Sequence, residues 1–383
     1  MTSPDNLVPE IMENFACMTG LDPPTHSPKR YLWTDAFAVC NYLGLYQQTD
    51  DPQYRDLALR LVDQVHHVLG KHRDDDPRRG WISGLSEEEG ELHPTAGGLR
   101  IGKKHNERLS GEPYDERLEW DRDGQYYHYL TKWMHALNRV SRVTGDPVYV
   151  QWAIDLARTA HARFTYVTPH SGPKRMFWKM SIDLTYPLVP SMGLHDPLDG
   201  LVTYSELQTA AEPQFNLHAE IADLEEMCRV RNWATDDLLG IGGLLFDVSR
   251  ITRLMVQGGF SYSDLLASVV VAARTGMRSF DKCRIMHLPA GYRLAFRELG
   301  FLIGMKGLEG VFRIIDENPR VFEERDSLER SLKELKGYMP IAEEIERFWR
   351  DKANQESMLW KEHQEINMVM LATSLAPGGF LGI

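Results

Sequence analysis

The chain has 383 residues, 43% hydrophobic and 26% charged, with a net charge of −12. That is enough apolar material for a large globular core, and it excludes the basic face that general nucleic-acid or anionic-membrane binding needs. No apolar run approaches the roughly 18–20 residues of a membrane span, and MTSPDNLVPE lacks the basic and apolar regions of a signal peptide, so a cytoplasmic protein is expected.

Helical periodicity runs nearly throughout, and strand-like alternation is scarce. TDAFAVCNYLGLYQQ predicts one helix and PQYRDLALRLVDQVHHVLG the next, with Pro52 in its first turn after Asp50 and Asp51. QYYHYLTKWMHALNRVSRV and PVYVQWAIDLARTAHARF repeat the arrangement. Thr49, Asp51, Pro52, Tyr54, Ala58, Leu61 and His66 match Thr144, Asp146, Pro147, Tyr149, Ala153, Leu156 and His161 in register, which predicts a repeated helical hairpin.

Further pairs follow. LDGLVTYSELQTAA precedes LHAEIADLEEMCRVRNW, and DDLLGIGGLLFDVSRITRLM precedes YSDLLASVVVAARTGMRSF. AGYRLAFRELGFLIGM precedes GVFRIIDENPRVFEERDSLERSLKELKGY, and HQEINMVMLATSLAP follows PIAEEIERFWRDK. Six helices are apolar on most faces, each with an amphipathic companion. Helices apolar all round are buried, so the expected fold is all-α, an (α/α)6 toroid in one domain over 1–383. An open α-solenoid is the alternative. Two stretches, 73–124 and 166–200, are too long for connectors and enter consecutive inner helices, where loops would shape a site.

The four cysteines, Cys17, Cys40, Cys228 and Cys283, make no CxxC pair, so buried reduced thiols are expected. Cys283 and His287 have helical spacing but no third ligand in reach, and neither metal nor cofactor is expected.

The starts of the inner helices gather acids, aromatics, His and Arg. They carry Arg30, Trp33 and Asp35; Trp120, Asp123, Tyr126, Tyr127 and His128; His195, Asp196 and Asp199; Asp236 and Asp237; His287, Tyr292, Arg293 and Glu298; and Trp360, His363, Glu365 and Asn367. Trp178 lies in the second long loop. A sugar enzyme wants this set: rings to stack on pyranose faces, polar groups for hydroxyls, paired carboxyls for acid/base work.

Plainer roles compete. Asp35 and Asp236–Asp237 can be capping acids, Trp133 and Trp152 core, and His66 and His161 structural. Glu298 is either a functional carboxylate or the partner of Arg293 or Arg297. HRDDDPRRG reads as a solvated turn. RIGKKHNER reads as a charged surface loop, or as a basic loop that meets an acidic sugar or phosphate. Asp123–Gly124 and Asp199–Gly200 each open an inner helix after a long loop. They are expected to face each other across the ring's mouth, one acting as proton donor, with Trp33, Tyr126, His195 and Arg293 around them. Asp35 with Glu365 is the competing catalytic pair.

The hairpins and these helix starts resemble the six-hairpin glycosidase-like superfamily. LHDPLDGLVTY and DRDGQYYHY are loosely similar to His-Asp-x-Gly-aromatic segments of the unsaturated glucuronyl hydrolases, though His195 to Gly200 carries an insertion and Asp123 lacks a preceding His-Asp. The resemblance implies a glycoside hydrolase acting on a short, acidic or modified oligosaccharide, with two aspartates as the acid/base machinery. N-acylglucosamine 2-epimerase-type enzymes share the toroid and use inner-helix histidines. His128, His195, His287 and His363 keep a sugar epimerase or isomerase open, and a non-catalytic glycan-binding toroid is the third reading. The expected partner is a small carbohydrate, with homo-oligomer formation left open.

Overall fold

The computed structural model describes residues 4–168, 173–229, 232–258, 260–280, 285–322 and 325–382. They fall into two compact units, residues 16–230 and residues 1–15 with 231–383. Helix α1 (Pro4–Thr19) begins in the second of these. Among the described residues, no helix is long and apolar enough to cross a membrane.

The 16–230 unit holds three hairpins: α2 (Leu32–Thr49) with α3 (Pro52–Leu69), α6 (Tyr127–Thr144) with α7 (Val148–Phe164), and α8 (Asp196–Ala210) with α9 (His218–Cys228). Helices α2, α6 and α8 pack side by side. The first fourteen residues of α2, Leu32 to Leu45, are all buried, as expected of a helix with no polar stripe. On α3 only one face is buried, through Leu57, Ala58, Leu61, Val62, Val65 and Leu69.

The first long loop contains α4 (Glu87–Leu92) and α5 (Glu116–Asp121). Among the described residues, five short strands accompany the loops: β1 (Gln125–Tyr126), β2 (Thr165–Val167), β3 (Lys174–Met176), β4 (Lys179–Met180) and β5 (Pro187–Val189). Strand β4 lies between β1 and β5, pairing Gln125 with Met180 and Tyr126 with Lys179. The two long loops are thus stitched together at the entrance to α6.

The other unit holds α10 (Leu238–Gln257) with α11 (Ser263–Phe280), then α12 (Ala295–Glu317), α13 (Arg325–Lys336) and α14 (Met339–Arg350). The short α15 (Lys352–Gln355) and α16 (Met358–Glu362) lead to α17 (Gln364–Leu375) and α18 (Gly378–Leu381). Helix α12 packs between α10 and α17. The fold class is the one expected: all-α, with α2, α6 and α8 the more buried helices of one unit, α10, α12 and α17 those of the other, and amphipathic companions to them. One boundary differs. The break expected between Met305 and Gly310 is absent, and α12 runs on to Glu317. Gly307 and Gly310 are buried within it, and Pro319 is what prevents continuation.

The repeat is reproduced bond for bond. Thr49 Oγ1 donates to the Leu45 carbonyl, the Asp51 amide donates to Thr49 Oγ1, and the Gln53 amide donates to Asp51 Oδ1. Thr144 Oγ1 donates to Val140, the Asp146 amide to Thr144 Oγ1, and the Val148 amide to Asp146 Oδ1. Each set closes one helix and caps the next. In α10 and α12 glycine does a different job. A Cβ on Gly242 would lie 2.2 Å from the Gly300 carbonyl oxygen, and one on Gly304 would lie 2.5 Å from that of Gly242, so the two backbones touch.

Candidate functional site

Asp123, expected at an open mouth, is fully buried and acts as a clasp. Its Oδ1 accepts from the amides of Gly102 (3.0 Å) and Gly124 (3.1 Å). Its Oδ2 accepts from Arg100 (2.6 Å) and Arg73 (3.3 Å). With both oxygens doubly engaged, no lone pair is left for a ligand. Gly124 has φ +144°, and a Cβ there would meet the Met180 carbonyl oxygen at 2.7 Å. The Asp-Gly step is therefore required by the approach of β4. Asp199 ties α8 to α6 instead: its Oδ2 accepts from Thr131 Oγ1 (2.5 Å) and Lys132 Nζ (2.7 Å).

The long loops are anchored by ion pairs. Arg78 contacts Asp76 (2.8 Å), Glu107 (2.5 Å) and Asp183 (3.0 Å), and the amide of Ile182 donates to Glu107. Lys179, fully buried, binds Glu119 (2.8 Å) and the Arg122 carbonyl (2.9 Å). HRDDDPRRG is exposed at Asp74, Asp75, Pro77, Arg79 and Gly80, as a solvated turn would be, but it is anchored through Asp76 and Arg78. Asp76 is 2% exposed, and its hydrogen bonds from Arg78 hold its carboxyl well below the usual carboxylate range. RIGKKHNER likewise supplies Arg100 to Asp123 and Arg108 to Glu119 (3.1 Å). The expectation of plain surface segments missed these partners, which lie in distant parts of the sequence.

At the entrance to α6 the chain builds an aromatic wall. Tyr126 packs on Tyr129 (5.2 Å) and Trp178 (5.2 Å), Tyr129 packs on His128 (4.9 Å) and Tyr31 (5.6 Å), and Trp120 meets Trp178 edge-on at 5.9 Å. Trp33 touches Tyr129 from the buried side at 6.4 Å. The His128 imidazole lies nearly parallel to Trp178, 13° apart with centroids at 6.2 Å. Its Nδ1 is 3.7 Å from Asp196 Oδ1, an ion-pair separation too long for a hydrogen bond. That Nδ1 is buried and has no hydrogen-bond partner among the described residues, while the side chain as a whole keeps 29% of its surface open. Burial, reinforced by Lys132, pushes the imidazole pKa down to about 4, so His128 is neutral at ordinary pH. It combines the free lone pair of a base, an aromatic platform and a carboxylate behind it.

The other expected residues separate by environment. Tyr127 belongs to the core, 0% exposed and packed on Phe164 at 5.5 Å. A Cβ on Gly200 would lie 2.4 Å from the Tyr127 hydroxyl, which explains the second Asp-Gly step. Arg30 is 4% exposed and donates to the Thr19 carbonyl (2.9 Å) and Asp35 (3.4 Å). Asp35 also accepts from the Tyr31 amide (2.8 Å). His195 is half-buried, and its carbonyl accepts from the Asp199 amide. His66 accepts from Trp133 Nε1 (3.1 Å), and His161 pairs with Asp223 (3.0 Å), the structural roles expected.

In the other unit Arg293 and Glu298 form a buried bidentate pair (2.8 and 2.6 Å), and Trp349 Nε1 donates to the same carboxylate at 2.7 Å. This resolves Glu298 as the partner of Arg293, and removes Arg293 from the groups that can reach a ligand. Arg297 pairs with Asp237 (2.7 Å), which caps α10 through the Gly240 amide. His287 is exposed, Tyr292 is 74% exposed, and His363 and Glu365 are half-buried, with His363 edge-on to Phe296 at 5.7 Å. Cys40 and Cys228 are buried, Cys17 is exposed against expectation, and Cys283 lies outside the described residues. No group of three potential metal ligands occurs among the described residues.

Lys103 was read from sequence only as part of the basic loop RIGKKHNER, and Tyr31, Tyr129 and Lys132, which lie against the expected residues, were not singled out. Tyr31 and Tyr129 carried a signal, since each adjoins a residue that was.

No family model and no curated protein matches the chain. Several solved structures are similar to it at low identity. The cellobiose 2-epimerase of Spirochaeta thermophila DSM 6192 is 14% identical, over 89% of this chain and 87% of that one, with a TM-score of 0.45. The cellobiose 2-epimerase of Bacillus thermoamylovorans B4167 is 10% identical, over 88% and 87%, with a TM-score of 0.47. A sugar epimerase from a ruminal bacterium is 11% identical, over 76% of each chain, with a TM-score of 0.42.

Proposed function

We propose that the chain is a carbohydrate-active enzyme that moves a proton on a bound reducing sugar, an epimerase or isomerase with His128 as the base. One observation carries the reading: a neutral, partly open imidazole lies parallel to Trp178 within a wall of tyrosines, with the Asp196 carboxylate behind its buried nitrogen. A proton on Nδ1 faces Asp196 and leaves the Nε2 lone pair as the base. In the open-chain sugar, Nε2 takes the hydrogen from the carbon next to the carbonyl. The electron pair passes to the carbonyl oxygen, giving an enediolate, and Asp196 stabilises the imidazolium that forms. A solvent proton added to the same carbon on its other face gives the epimer, and one added at the neighbouring carbon gives the ketose, while the imidazolium gives up its proton to solvent.

A hydrolase is the second reading, favoured by Asp35, whose carboxyl burial raises to about 6. A general acid must also reach its substrate, and Asp35 is 1% exposed with both oxygens engaged.

The test uses reducing mono- and disaccharides in deuterium oxide. The expected product carries one solvent deuteron next to the carbonyl, with no new reducing end. His128→Asn should retain the fold by circular dichroism and lose exchange by at least ~100-fold. New reducing ends without deuterium incorporation would replace this reading with the hydrolase.

A further inference from the structure

The aromatic wall ends at a cation that no described residue pairs with or hydrogen-bonds. Lys103 Nζ sits 5.3 Å from the centre of the Tyr31 ring. Half-buried, it makes no hydrogen bond and no ion pair with any described residue. The nearby acids attract it only at a distance: Asp123 is saturated by Arg73, Arg100 and two amides, and Asp121, exposed at the end of α5, pulls on the ammonium without bonding to it. Lys179, close enough to repel Lys103, is fully occupied by Glu119 and two carbonyls. Burial and that repulsion push the Lys103 ammonium below the ordinary lysine value.

The hydroxyls beside it are also donors in excess. Tyr31 and Tyr129 bond to each other at 2.8 Å. Only one of the two can donate in that bond, so one phenolic hydrogen is left without an acceptor. The Tyr126 hydroxyl, on the ring packed against Tyr129, makes no hydrogen bond among the described residues. An ammonium and phenolic hydrogens without acceptors, set along one apolar wall, lack a single component: an anion with several acceptor oxygens.

We infer that Lys103, with the Tyr31–Tyr129 hydroxyl pair, forms a subsite for the anionic group of a sugar substrate, a carboxylate or a phosphate. This rests on the proposed function above and names its substrate class. Tyr129 touches both Tyr31 and His128, so the anionic group lies along the same wall as the reacting carbon. Lys103 is a specificity residue here; it takes no part in the proton transfer.

The experiment is equilibrium binding to the full chain, by titration calorimetry, of glucose, glucuronate, glucose 6-phosphate, galactose, galacturonate and inorganic phosphate. Expected is at least ~10-fold tighter binding of one anionic sugar class than of its neutral counterpart. The carboxylate and phosphate arms tell the two anions apart. Lys103→Met should bring the anionic sugar down to the neutral one, and Lys103→Arg should restore most of the preference. Three results overturn the inference: no preference for anionic sugars in the wild type, a preference that survives in a folded Lys103→Met protein, or inorganic phosphate binding as tightly as the sugar phosphate. If neutral sugars bind without a charge preference, only the subsite fails. If no sugar binds at all, the proposed function fails with it.

Discussion

Asp35 sits in the first turn of α2, and burial lifts its carboxyl to about 6 against the opposing pull of Arg30 and the Tyr31 amide. Its ordinary value is 3.8. A folded-state pKa above the unfolded one means that the chain takes up a proton on folding between those values. The resulting stability is fully present below about 3.8 and is lost as pH rises through about 6. His66 and His128 run the other way. Burial lowers them to about 3 and about 4, so they cost stability as pH falls below 6.5. The Asp35 contribution therefore has to be read as a difference between two proteins. Urea midpoints of wild type and Asp35→Asn, compared at pH 4.5 and pH 7, should shift in the variant's favour at the higher pH. A difference that is independent of pH would show that Asp35 ionises in the fold as freely as in the unfolded chain.

Glycine in α10 gives a control within one helix. A Cβ on Gly242 meets the Gly300 carbonyl at 2.2 Å, whereas one on Gly243 meets nothing within 4 Å. Gly242→Ala forces two backbones apart and should cost about 1–3 kcal/mol. Gly243→Ala keeps the surroundings and should gain up to about 1 kcal/mol from helix propensity. Denaturant melts of the two variants check this, and equal effects would refute the close crossing. The elements themselves were legible in the sequence because their signals are local. Thr49–Asp51–Pro52 and Thr144–Asp146–Pro147 hold their bonds within a few residues of themselves, and the periodicity of α2 or α3 lies within one segment. The site was legible only as a set of places. His128, Trp178, Asp196 and Tyr126 were named, but nothing in their spacing shows that the first faces the third across two helices. The same blindness assigned Asp123 a free carboxylate: its partners, Arg73 and Arg100, come from a loop that carries no periodicity.

Across the larger unit, the bonds that make hairpins and the bonds that make the site differ in reach. Hairpin caps join residues two to four positions apart. Arg78 meets Asp183 across 105 positions, Ile182 meets Glu107 across 75, and Lys179 meets Glu119 across 60. Closing a long segment costs chain entropy before any contact repays it. The ion-pair clasp of the two loops therefore has a kinetic consequence: the hairpins form first, and the aromatic wall is assembled late, on helices already in place. In stopped-flow refolding, far-UV ellipticity should recover ahead of the tryptophan fluorescence that reports Trp120 and Trp178, a difference best isolated in a Trp178→Phe comparison. Simultaneous recovery would mean that loops and hairpins condense together. With sequential recovery, the newly made chain passes through a state with its helices formed and its aromatic wall still unmade.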